Sequence, residues 1–130
     1  MIGVDTNVLV RFFVQDDRAQ SRKADALLQT LSTESPGFVS LVTLIELSWV
    51  MRSSYRMTRQ ELAESLESLL NSPEIVVENE PAVTQALQRF VAAKADFADA
   101  LIERSGHVAG CSRTVTFDTK AARLAGMTML

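Results

Sequence analysis

A regular alternation of short apolar runs with longer stretches of helical periodicity constrains this chain more than any other feature. The runs are Met1 to Val4, Phe38-Val39, Ile75-Val76-Val77 and Thr114-Val115-Thr116-Phe117, with Met127 to Leu130 as a candidate edge strand. Strands that alternate with helices pair in parallel and are covered on both faces. The predicted fold is therefore a three-layer α/β/α domain around a central, mainly parallel sheet of four to five strands. In such sheets function gathers at the carboxyl ends of the strands.

The helical segments carry start and stop signals. Asn7 to Val14 holds Val8, Leu9, Phe12 and Phe13 at roughly helical spacing, and Ala19 to Leu31 keeps Ala24, Leu27, Leu28 and Leu31 on one side. Ser32 to Gly37 is a connector by composition. Ser40 is placed to cap a helix that runs from Leu41 towards Arg52. Thr58 with Glu61 three residues later makes a capping box ahead of a helix ending near Pro73. Pro81 fits the first turn of another helix. Asp96 caps one that is expected to stop near Gly106, and Asp118 to Ala125 is a short final helix. No repeat or linker interrupts the pattern, so residues 1–130 are read as a single domain.

Composition narrows the chemistry. Apolar residues make up 47% of 130, which excludes a disordered or fibrous chain. No apolar stretch is long enough to span a membrane, and no secretory pattern opens the chain, so a cytoplasmic location is expected. One cysteine, Cys111, cannot form an internal disulfide, and a single histidine, His107, argues against imidazole-based zinc sites and His-dependent triads. The net charge of −3 does not describe a protein that coats nucleic acid through phosphate contacts alone. It leaves a nuclease open, because divalent metal held by acids is locally positive.

The carboxylates are where the chemistry concentrates. Asp5 and Asp118 each follow an apolar strand, and either is open to two readings, a helix cap or a ligand at the strand's end. Glu46 lies within the nearly all-apolar Leu41 to Trp49, where a charge is costly unless it faces out, is paired or binds metal. Asp96 and Asp99, three apart, share one face near a helix start. Asp96 is as well explained as a cap, whereas Asp99 is hemmed by Ala98, Ala100, Leu101 and Ile102. Carboxylates gathered in a confined site repel one another unless cations neutralise them. Oxygen donors without His or Cys select a hard ion, Mg²⁺ or Mn²⁺. Such ions activate water for phosphodiester cleavage.

Four short motifs then resemble one family in order and spacing. Ile2-Gly3-Val4-Asp5-Thr6-Asn7 resembles the opening strand and "DTN" motif of PIN domains, and Thr43-Leu44-Ile45-Glu46-Leu47 resembles their internal Glu motif. Asp99-Ala100-Leu101-Ile102 resembles their third acid, and Thr116-Phe117-Asp118 their closing "T-x-D". The resemblance spans nearly the whole chain. In VapC-type toxins these motifs imply a Mg²⁺-dependent endoribonuclease, usually a homodimer, neutralised by a protein antitoxin in a type II toxin–antitoxin pair. It implies Asp5, Glu46, Asp99 and Asp118 as catalytic, metal-binding acids. Thr6, Asn7 and Thr116 are then auxiliary, orienting the acids or the scissile phosphate, and Asp96 is an auxiliary acid. Glu103-Arg104 after the third acid and Phe117 within the last motif depart from the commonest pattern. Other readings stay open: a PIN-like nuclease of RNA processing, a non-enzymatic partner-binding domain whose acids are only caps, or a phosphoacceptor receiver, for which Lys120 is loosely placed.

Overall fold

The first apolar run folds as β1 (Ile2–Gly3), and the backbone leaves it at Asp5 to enter α1 (Thr6–Val14). In this computed structural model, which describes residues 1–130, the chain gathers into two compact units, Met1–Glu78 and Asn79–Leu130. The first unit continues with α2 (Arg18–Thr30), β2 (Gly37–Val39), α3 (Leu41–Ser53), α4 (Arg59–Asn71) and β3 (Ile75–Val77). Its strands lie in the order β1-β2-β3, all parallel, with Gly3 opposite Phe38 and Phe38 opposite Val76. A pair of helices makes each return, as parallel strands require.

Caps decide where these helices start. Asp17 Oδ1 accepts the Gln20 N–H at 2.9 Å to open α2, and Ser40 Oγ accepts the Thr43 N–H at 3.1 Å to open α3. The Thr58–Glu61 capping box forms in both directions at the start of α4. Leu9, Val39, Leu44, Leu47, Met51, Leu62 and Leu66 are fully buried and form the core of this unit. Burial of each stabilises by roughly 1.5–3 kcal/mol before entropy is counted. Met51 is thus a core residue, whereas Trp49, two positions before it, is 57% exposed.

The second unit contains α5 (Glu80–Ala93), α6 (Phe97–Val108), β4 (Val115–Thr116), α7 (Thr119–Leu124) and β5 (Thr128–Met129). Here α5 and α6 pack through Ala82, Val83, Ala86, Phe97, Ala98, Ala100 and Leu101, and Phe90 meets Phe97 edge to face at 6.2 Å. Small residues at the contact let the backbones approach. The α6 helix passes through Gly106, where it was expected to stop. A side chain at that point would meet Thr114 Oγ1 at 2.8 Å, so this glycine serves close approach and not a helix end. The fold class is as expected, α/β with parallel strands throughout, and no helix is long and apolar enough to cross a membrane. The strands do not form one continuous ladder of four to five, however. β4 pairs with β5 in a sheet of its own, and with two residues in each strand the pairing reaches only the immediate neighbour.

Glu103, which the sequence shows only as a departure from a motif, is buried on α6. Its carboxylate accepts from Arg104 and from Arg89 Nη1 at 2.8 Å, and Arg89 also donates to the Ala125 carbonyl. Gly126 completes the arrangement, with φ of 82° and no room for a side chain against Arg89. The Arg104 hydrogen bond, aided by the charges of Arg104 and Arg89, holds the Glu103 carboxyl below the ordinary glutamate range despite burial. A lowered folded value means stability that is present above the ordinary range and lost as pH falls through the folded one. Glu103→Gln is expected to cost about 3 kcal/mol, the lower end for breaking a buried pair, because both arginines keep some solvent. Urea denaturation followed by circular dichroism at pH 7 and pH 3.5 checks this, with the difference between wild type and variant shrinking at the lower pH.

Candidate active site

In the first unit, Val4 keeps its N–H on the Phe38 carbonyl at 2.9 Å before the chain turns out of the sheet. Asp5 is therefore delivered to the carboxyl end of β1, exposed, as the cap of α1. Its Oδ2 accepts the Asn7 N–H at a long 3.5 Å, which leaves the carboxylate loosely held. Thr6 is buried, and its hydroxyl donates to Glu46 Oε1 at 3.1 Å. That bond joins the first turn of α1 to the middle of α3 and fixes one oxygen of Glu46.

Glu46 is not in the apolar surroundings that its sequence neighbours imply. The apolar residues beside it turn inward, and Glu46 lies on the exposed stripe of α3 between Val42 and Trp49, spaced i, i+4 and i+7. A feature missed from sequence stands nearby in the chain's logic: Glu78 follows β3 as Asp5 follows β1. Its Oε1 accepts the Leu41 N–H at 2.8 Å, so it serves the start of α3. An acid one residue past an apolar run was the available signal.

In the second unit, Asp96 Oδ1 caps α6 by accepting the Asp99 N–H at 3.0 Å. Asp118 caps α7, its Oδ1 accepting from the Lys120 and Ala121 amides at 2.8 and 3.2 Å. The Asp118 N–H in turn donates to Thr116 Oγ1 at 3.0 Å, so Thr116 steers the backbone at this acid. Asp99 has no such task. It is half-buried, and burial first, then the charges of Asp96 and Asp118, push its carboxyl above the ordinary aspartate range. The charges of Asp96 and Asp118 thus both bear on Asp99.

The first unit thus holds Asp5 at a strand end and Glu46 in mid-helix, and the second holds Asp96, Asp99 and Asp118 at helix starts. No three Asp, Glu, His or Cys side chains stand close enough to form a ready-made cage for a metal. Within each unit every donor among these acids is oxygen, the chemistry that suits a hard divalent cation, and in the second unit such a cation would offset the charges that oppose Asp99.

The profile of the PIN domain family matches residues 2–127, running through both units. The chain belongs to the PIN domain family. No curated protein matches it at a significant level. PIN domains are in general nucleases, hydrolysing phosphodiester bonds with divalent metals. When bound, such a metal supplies Lewis acidity and an activated water. The chain's own part is to place and orient carboxylates, as Thr6 does for Glu46 and Thr116 for the backbone of Asp118.

The strain at Asp99 has a measurable consequence. A raised folded value means that Asp99 destabilises the fold as pH rises through it, and that this cost is absent below the ordinary aspartate range. In metal-free buffer at pH 7.5, Asp99→Asn is expected to melt a few degrees higher than wild type, with the gap closing near pH 3. Added Mn²⁺ should raise the wild-type midpoint and leave that of the variant nearly unchanged. Thermal melts across pH, with and without the metal, check both.

Proposed function

We propose that this PIN domain is an endoribonuclease dependent on Mg²⁺ or Mn²⁺, the toxin of a type II toxin–antitoxin pair, acting in the cytoplasm. The observation that carries the reading is Asp99: a half-buried acid, given no capping task, whose charge is opposed by burial and by two neighbouring acids. Acids perturbed by burial and like charges cluster at functional sites. Asp5, Glu46, Asp99 and Asp118 are the proposed metal-binding acids, residue by residue from the family's motifs, and Thr6, Asn7, Asp96 and Thr116 the auxiliary ones. Residues 1–130 are taken as one functional domain.

The proposed antitoxin inserts a basic side chain among these acids, replacing the metal's charge. A homodimer belongs to the same reading, supported by the exposed Val42 and Trp49 on α3. A second reading has a specific observation in its favour. Asp5, Asp96 and Asp118 all do act as helix caps, which is what a non-enzymatic binding domain would need of them.

Incubation with a mixed RNA pool, with and without Mg²⁺ or Mn²⁺, followed by sequencing of the new ends, separates the two. The nuclease should cleave only with metal, and Asp5→Asn and Asp99→Asn should each lower the rate by more than about 100-fold. Thr6→Val, which removes only the group that holds Glu46, should cost roughly 10–100-fold, the range for partners behind a metal ligand. Cleavage at wild-type rates by Asp99→Asn would assign that acid to structure alone.

A further inference from the structure

A groove between α1 and α2 encloses a cavity of about 330 Å³, at the small end of the range for ligand sites. Asn7 lines it, and the Asn7 amide is the one on Asp5 Oδ2, so one lining residue touches a proposed catalytic acid. Its floor is apolar, made by Val8 from α1 and by Ala24 and Leu27 from α2. Its polar lining is Asn7, Arg11, Gln20 and Lys23, with two cations and no carboxylate.

The two cations differ. Arg11 is fastened: Nη1 donates to Asp16 at 3.0 Å and to the Tyr55 hydroxyl at 3.0 Å, and Nε donates to Gln20 Oε1 at 2.6 Å. It serves as a rigid wall and largely spends its charge on Asp16. The bond from Arg11 also turns Gln20 so that its NH₂ is the end left to donate. Lys23 is exposed and makes no ion pair, so its charge is available to an incoming anion. An apolar lining, two carboxamides and one available ammonium match a single nucleotide: a base on Val8, Ala24 and Leu27, read by Asn7 and Gln20, with its phosphate on Lys23. In a chain of net charge −3, which repels RNA at long range, such a foothold has a clear use.

We propose that this groove is a subsite for one nucleotide of a single-stranded RNA substrate, flanking the phosphodiester that is cut. The inference rests on the nuclease reading and adds to it where the substrate is gripped. Lys23→Gln removes the available charge, and Leu27→Trp fills the floor with no change of charge. Binding is read in metal-free buffer by fluorescence anisotropy of a labelled mixed-sequence ribohexamer, and cleavage of the same oligomer with Mn²⁺ is read separately. For Lys23→Gln, weaker binding is expected across all sequences, with the salt slope reduced by about 0.7, one single-strand phosphate contact. Its KM should rise while kcat holds. Leu27→Trp should bind at least as weakly with its salt slope unchanged, and circular dichroism checks that both variants fold. Wild-type affinity and slope in both folded variants, in a protein that still cleaves RNA, would overturn the subsite and leave the nuclease reading intact. Ribohexamer binding that both variants weaken, in a wild-type protein that cuts nothing under any metal, would instead overturn the nuclease reading and keep the groove as a nucleotide site. Variants that lose affinity for a helical antitoxin peptide but not for the ribohexamer would reassign the groove to protein recognition and overturn the proposal.

Discussion

A helix that begins where a strand ends must satisfy amide N–H groups that no earlier turn can reach. This chain meets that demand mostly with carboxylates. Asp5 caps α1, Asp17 caps α2, Asp96 caps α6, Asp118 caps α7, and Glu78 reaches across to the first amide of α3. The positive end of each helix dipole makes the arrangement tolerable. Acids are thereby collected at strand ends and helix starts by the ordinary needs of folding, before any catalytic use. The proposed nuclease site adds to such a scaffold two acids without a capping task, Glu46 and Asp99, and the Thr6 hydroxyl that holds Glu46.

Asp99 and Glu103 show how far environment separates two acids one turn apart on the same helix. Glu103 is buried against Arg89 and Arg104, and its negative charge is favoured. Asp99, half-buried and facing Asp96 and Asp118, has its charge opposed. The first anchors α6 to α5 and, through Arg89 and the Ala125 carbonyl, to the end of α7. The second carries a charge that its surroundings disfavour. Opposite electrostatic surroundings thus fall to neighbours that composition would count as equivalent.

Local signals were readable in the sequence because they act over three or four residues. The caps at Ser40, Thr58 and Asp96 and the apolar strands fall where their patterns place them. What could not be read depends on distant partners. Gly106 resembles a helix stop until Thr114 is seen pressed against it. The sequence leaves open whether Glu46 faces out or is enclosed; its helix turns it outward, and Thr6, forty positions away, donates to it. Glu103 reads only as a departure from a motif, since its distant partner, Arg89, lies a helix earlier. Among the candidate acids, position was legible for Asp5, Asp99 and Asp118, and the pairing of Thr6 with Glu46 was not.

The exposed position of Trp49 has a practical consequence. It is the chain's sole tryptophan, so all indole emission originates at one place, three residues from Glu46 on the same outward stripe of α3. With 57% of its surface already in water, the indole changes surroundings little when the protein unfolds. Its fluorescence is therefore a poor gauge of folding and a good optical gauge of anything that settles over Glu46. Quenching or a blue shift of that single signal would register an arriving ion, oligonucleotide or second protein without any label.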